Sequence, residues 1–445
     1  MMHGVVKRSG CVAAALVGIC FPAMAEAPTV SSGRLNDVRI LAPEGAAQAL
    51  VIHFSDRAGW DRDDDATVRA MADEGAAVLM VDYAVYGEAL DADGGECLYL
   101  GGELTDLAQK AQRSLGIDTY MQPILAGREE GASLAFMALA DAPANTFGGA
   151  IALGYRNALS LRLPICPGPA VAGAEGNWRS YAIEAELPAQ AFVFAPDDAI
   201  EGMRTEFARL RTIHLAEHDE DADLVQAASA LRRLTAPDLA FDGLPVVQLG
   251  SNGEAGLVFF VSGDGGWRDL DKTMGEWLAG NGYGVLGFDA LAYFWRQRTP
   301  EEFAADLVRA VATADPKGER PLMLVGYSFG ADALPLAWPL LPAALQERVR
   351  VIGLLAPGWS TSLEVTVAGW LGVVGEQQYD VTGAIAALPQ DKVLCIYGTD
   401  DATSSCPLEH LPADAVIETK GGHHFDGDYD TLAQAIVARF NATRD

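Results

Sequence analysis

Two hydrophobic rhythms alternate along most of this chain. Short runs rich in Val, Ile, Leu and Phe, bounded by Gly, Pro or Asp, are followed by longer stretches whose apolar positions recur every three or four residues. In the C-terminal half, "GLVFFVS" (256–262), "YGVLGFD" (283–289), "PLMLVGYS" (321–328), "VRVIGLLA" (349–356) and "KVLCIYG" (392–398) read as strands buried on both faces. Between them, "DKTMGEWLAGNG" (271–282), "TPEEFAADLVRAVATA" (299–314) and "ALPLAWPLLPAAL" (333–345) read as helices. "TPEE" supplies a Thr cap, a first-turn proline and early acids. Such alternation predicts the α/β class: a mostly parallel sheet with helices on both faces.

The same plan occurs twice. "FSDRAGWDRD" (54–63) resembles "VSGDGGWRDL" (261–270), so that Ser55 and Trp60 fall on Ser262 and Trp267. At the same spacing "VLMVDY" meets "VLGFDA", placing Asp82 on Asp289. Farther on, "ILAGREEGA" meets "MLVGYSFGA", and "FVFAPDDA" meets "CIYGTDDA", with Asp198 on Asp401. A length prior of about 150 residues per domain would suggest three domains, but this repeat argues for two. The predicted division is a leader at 1–25, a first unit at 26–238 and a second at 239–445. The join lies near "LTAPDLAFDGLP" (234–245), where Pro and Gly interrupt both rhythms.

The leader changes the chemical setting. Lys7 and Arg8 precede an apolar run too short to span a bilayer, and Ala23-Met24-Ala25 fits a signal-peptidase site. Cleavage after Ala25 predicts an exported, periplasmic protein. Cys11 and Cys20 leave with the leader, so Cys97, Cys166, Cys395 and Cys406 remain. An even number in an oxidising compartment points to disulfides; Cys395 and Cys406 could close one short loop and Cys97 and Cys166 another, the sequence leaving the connectivity open, and their spacing fits no zinc pattern. Lys+Arg total 31 against Asp+Glu 61, a net charge of −30. That acidity argues against nucleic acid as partner and favours cationic ones. With 50% hydrophobic residues the chain has ample material for cores.

The second unit carries the candidate chemistry. "GYSFG" (326–330) places Ser328 between two glycines, after an apolar strand and before a helix. A nucleophile on so tight a turn needs flanking residues without side chains. Its hydroxyl also needs a base, and the base needs an orienting carboxylate. "YGTDDATSSCP" offers Asp401, with Asp400 as alternate, and "KGGHHFDGDYD" offers His424, with His423 as alternate. The oxyanion would be held by the backbone of Phe329 and by Asp264 or Gly265 in the turn "SGDGGW" (262–267). That turn lacks the Gly-Lys-Ser/Thr ending of a phosphate loop, and nothing in the sequence calls for a metal or cofactor. In the first unit Glu129 stands where the serine would be, which makes that unit catalytically silent. Asp198 and His218 would occupy its former acid and base positions, and its remaining work would be docking.

At these residues the second unit resembles the bacterial virulence protein family of VirJ and AcvB. "VSGDGGWRDLDK", "GFDALAYFWRQRTPEE", "GYSFGADALP" and "GGHHFDGDYD" carry the resemblance. The two-unit length is closer to AcvB. The resemblance implies a periplasmic α/β-hydrolase with a serine triad. For AcvB-like members it implies hydrolysis of lysyl-phosphatidylglycerol to lysine and phosphatidylglycerol. A membrane lipid is then the substrate partner, with a secretion-system or envelope protein as a further candidate. An acidic protein suits a lipid that is net cationic before cleavage. Asp264 and Asp289 are candidates for its ammonium groups, and Trp295 and Arg298 for an apolar wall and a phosphate contact.

Overall fold

The computed structural model describes residues 28–166, 168–236, 241–250, 253–366, 378–407 and 411–443. The expected leader, and the expected join at 238–239, lie outside them. Two large sheets form the molecule. The first contains β1 (Thr29–Ser32), β2 (Leu35–Leu41), β3 (Ala49–Phe54), β4 (Ala76–Val81), β5 (Ile124–Arg128), β6 (Gly149–Leu153), β7 (Ala191–Ala195) and β8 (Ile213–Glu217). The second contains β9 (Val246–Leu249), β10 (Gly256–Val261), β11 (Tyr283–Phe288), β12 (Leu322–Tyr327), β13 (Val349–Leu355), β14 (Val393–Gly398) and β15 (Val416–Thr419).

The strand orders are β1-β2-β4-β3-β5-β6-β7-β8 and β9-β11-β10-β12-β13-β14-β15. Without β1, the two orders superimpose strand for strand. In each sheet the outer strand, β2 or β9, runs antiparallel, and the six strands beyond it are parallel. The duplicated plan read from the sequence is therefore a duplicated topology.

Alternation along each strand explains the layers. On β10, Leu257, Phe259 and Val261 join a core with Phe303, Leu307, Val311 and Leu334. The intervening Val258 and Phe260 join a second core with Met274, Leu278, Leu432 and Ile436 on the opposite face. A strand buried on both faces has no polar alternation to show, as its continuous apolar run announced.

The helix Pro300–Ala314 begins with the capping box that "TPEE" foretold: Thr299 Oγ1 accepts the Glu302 N–H, and Glu302 accepts the Thr299 N–H. The stretch 333–345 departs from expectation. Its helix runs Phe329–Ala337, gives way to a short turn at Trp338–Leu340, and resumes only at Ala343–Arg348. Pro339 and Pro342 supply no N–H to an earlier carbonyl, and each starts a new turn instead. Among the described residues two disulfides are present, Cys97–Cys166 and Cys395–Cys406, with Cα separations of 5.7 and 5.6 Å.

Candidate active site

Ser328 stands between β12 and the helix Phe329–Ala337 with φ +49 and ψ −115, a conformation that L-residues rarely adopt. Two glycines make the bend feasible. A Cβ on Gly326 would lie 2.4 Å from the Gly330 carbonyl oxygen, and one on Gly330 would lie 2.2 Å from the Val261 carbonyl oxygen. The strand, the bend and the start of the helix are thus packed backbone against backbone.

A hydrogen-bonded row begins at this serine. His423 Nε2 is 2.8 Å from Ser328 Oγ, and His423 Nδ1 is 2.8 Å from Asp401 Oδ2. Asp401 is further fixed by the Thr403 N–H and hydroxyl, which donate to its other oxygen at 3.0 and 2.6 Å. Burial alone would raise the Asp401 pKa. The bonds from Thr403 and His423 outweigh that and hold it below the usual carboxylate range. Asp400 is exposed.

The histidine that reaches the serine is His423, not the His424 expected from the sequence. His424 is exposed and its Nδ1 lies 2.9 Å from the Tyr327 hydroxyl. Phe425 decides the matter: it is buried at 2% exposure in the core beneath the loop. With Phe425 anchored inward and the chain entering a tight turn at Phe425–Gly427, the two imidazoles diverge, with an interplanar angle of 87°. Tyr327 steadies this loop, its hydroxyl donating to the His423 carbonyl oxygen at 3.2 Å. It was overlooked in the sequence because it occupies a variable place within the Gly-x-Ser-x-Gly pattern.

The turn 262–267 lies beside the serine: a Cβ on Gly263 would stand 3.7 Å from Ser328 Cβ. Asp271 is buried, and burial pushes its carboxyl well above the usual range against the opposing effect of the Gly263 backbone. Asp264 and Gly265 follow on the same turn. Phe329 heads its helix, where the first N–H groups have no partner within the helix. Asp332, one turn after the serine, accepts the Gly358 N–H at 2.7 Å, and burial pushes its carboxyl up to about 8.

The other expected ligand contacts take different roles. Asp289 is buried and spends its oxygens on the Trp267 N–H (3.2 Å) and the Ala292 N–H (2.9 Å), capping the short helix Ala290–Tyr293. Asp82 caps Tyr83–Asp91 in the same way in the first unit. Arg298 donates to the Tyr293 carbonyl oxygen at 3.2 Å and lies over the Tyr293 ring. Trp295 is only 1% exposed and is covered by residues of the first unit, so it forms no open wall. Their loop position alone did not distinguish caps and contacts between the units from ligand groups. Among the described residues no group of three or more His, Cys, Asp or Glu side chains is arranged to hold a metal ion.

The first unit repeats the bend without the row. Glu129 has φ +51 and ψ −117, and its N–H donates to the Leu153 carbonyl as that of Ser328 does to Leu355. Its carboxylate packs against Gly154, where a Cβ would come within 2.4 Å of Oε1. Burial raises the Glu129 pKa. The next N–H, from Glu130, which would serve an oxyanion, donates instead to Asp56 Oδ1 at 3.3 Å. Asp198 pairs with Arg156, and His218 pairs with Asp223 at 2.7 Å, so the expected acid and base are not joined. The Asp223 bond raises the His218 pKa against the opposing effect of burial.

Residues 256–444 match the family model described as bacterial virulence protein (VirJ). No curated protein matches the chain. Among solved structures it is similar to Est1E from Butyrivibrio proteoclasticus, at 15% identity and a TM-score of 0.31, over 45% of this chain and 96% of that one. It is also similar to YbtT, a type II thioesterase from the Yersiniabactin biosynthetic pathway, at 15% identity and 0.32, over 45% and 100%. TT1662 from Thermus thermophilus gives 19% identity and 0.32, over 46% and 96%. In fold, the chain is two tandem α/β units, each a mostly parallel sheet flanked by helices.

Proposed function

We propose that the VirJ-like second unit is a serine hydrolase that cleaves the aminoacyl ester of lysyl-phosphatidylglycerol. The observation that carries this reading is the row Ser328–His423–Asp401 on a strained bend. In the reaction, Ser328 Oγ attacks the ester carbonyl while His423 Nε2 takes its proton, and Asp401 holds the imidazole in the required tautomer. The Phe329 N–H and a donor from Asp264 or Gly265 receive the negative oxygen. Collapse breaks the ester bond, and the departing glycerol oxygen takes the proton from His423, which frees phosphatidylglycerol. A water molecule then attacks the lysyl ester on Ser328, with His423 again as base, and lysine leaves.

The substrate assignment draws on the resemblance of the second unit's motifs to AcvB-like members and on the net charge of −30. An acidic protein is attracted to a surface rich in cationic lipid and released as the lipid becomes anionic. Export through residues 1–25 belongs to the same proposal, and the two disulfides are compatible with it. The test is lysine release from purified lysyl-phosphatidylglycerol in detergent micelles. Ser328→Ala should abolish it while leaving the thermal unfolding curve in place. Undiminished release by that variant would reject the hydrolase reading, and wild-type turnover of simple esters without lysine release would reject the substrate.

A further inference from the structure

The first unit, whose bend carries Glu129 in place of a serine, touches the second at the loops that flank Ser328. Trp295 is the main point of contact. Its indole N–H donates to the Ile117 carbonyl oxygen at 2.9 Å. The Arg113 guanidinium lies 3.6 Å from its ring centroid, and the Tyr120 ring is 5.1 Å away. Arg113 also donates to the Val365 carbonyl oxygen at 2.5 Å. The Val365 N–H in turn donates to the Phe294 carbonyl oxygen at 2.8 Å, and the Phe294 ring packs 4.9 Å from that of Phe329, the residue after the serine. A second contact reaches the turn on the serine's other flank. Asn145 Nδ2 donates to the Trp267 carbonyl oxygen at 2.6 Å, and Trp267 closes the turn 262–267.

We infer that the first unit is a clamp for the catalytic loops of the second, with Arg113 and Asn145 as its positioning residues. This rests on the hydrolase reading above. The argument is geometric. The two expected sources of oxyanion donors, the Phe329 N–H and the turn 262–267, belong to segments that bear on Phe294 and Trp267. Each of these is one or two contacts from a side chain of the first unit. An oxyanion donor loses its value when displaced by a fraction of a hydrogen-bond length, so remote contacts of this kind act on the transition state more than on substrate binding. Burial of Trp295 adds a reason for the units to stay together, since parting them would return its indole ring to water.

The test uses the full chain with Arg113→Ala, Asn145→Ala, the double variant, Arg113→Lys and Ser328→Ala. The readouts are steady-state hydrolysis of a soluble p-nitrophenyl ester, the rate of labelling by a fluorophosphonate, and thermal unfolding. The double variant should lose on the order of tenfold to a hundredfold in kcat with KM little changed, the labelling rate falling in parallel. Arg113→Lys, which keeps a cation over Trp295, should recover most of that loss. Wild-type kcat and labelling rate in the double variant, with only a lowered melting temperature, would overturn the clamp and leave a merely structural contact. Should the double variant not fold, Asn145→Ala alone carries the same expectation. Labelling and turnover retained in Ser328→Ala would instead overturn the hydrolase reading on which the clamp depends.

Discussion

The choice between the adjacent histidines yields a sharp experiment. His423→Ala removes the group 2.8 Å from both Ser328 Oγ and Asp401 Oδ2. A positioned general base contributes about 10²–10⁴-fold, and at the upper end its loss raises the barrier by ~5.5 kcal/mol, at 1.36 kcal/mol per tenfold. His424→Ala removes a part-buried contact to the Tyr327 hydroxyl. That is a change of about 0.5–1.5 kcal/mol in stability, and a comparable shift in the barrier would alter rate by no more than about tenfold. The assay is hydrolysis of a soluble ester by both purified variants, each checked for a cooperative melt. Near-normal turnover by His423→Ala, or a thousandfold loss in His424→Ala alone, would refute the reasoning.

Other consequences can be measured separately. Gly154→Ala should destabilise the protein by about 1–3 kcal/mol, because Gly154 sits at φ +72 and its new Cβ would collide with Glu129. Adding Glu129→Ala should recover the collision part of that cost, and identical denaturant midpoints for the single and double variants would contradict the packing described. Asp332 has its folded pKa raised from 3.8 to about 8 by burial, next to the Gly358 N–H and the Asp264 charge. The stability tied to its neutral form is fully present below its unfolded pKa and is lost as pH rises through about 8. Asp332→Asn, whose amide oxygen still accepts from Gly358, should therefore flatten the fall in melting temperature between about pH 4 and about pH 8. Parallel curves for the two proteins would dismiss Asp332 as the titrating group.

Much of this architecture was visible in the amino-acid order, for reasons that are local. Continuous apolar runs such as 256–261 mark strands covered on both sides, and the Thr299–Glu302 cap needs only four consecutive residues. The pairs Ser55 with Ser262 and Asp82 with Asp289 were visible because each repeats a turn. Both serines accept an N–H from the strand-to-helix junction across the sheet, and both aspartates cap the helix that follows. What escaped depends on three-dimensional neighbours. Phe425 turns His423 rather than His424 toward the serine, and no spacing rule contains that fact. Trp295 looked like part of a ligand wall because the partner that covers it, Arg113, is remote in the chain. Asp223, only five residues beyond His218, takes the place expected of Asp198 because the chain turns back on itself there.

The matched bends at Glu129 and Ser328 amount to a control that evolution has already run. Their dihedral angles differ by about two degrees, yet one presents an alcohol to an imidazole and the other a carboxylate lodged against a glycine. A contorted main chain at such a junction thus follows the route from sheet to helix and does not depend on which side chain the bend carries. The two bends part again at the amide that follows: the Glu130 hydrogen is claimed by Asp56, a residue of the protein itself, and so is withheld from any incoming molecule.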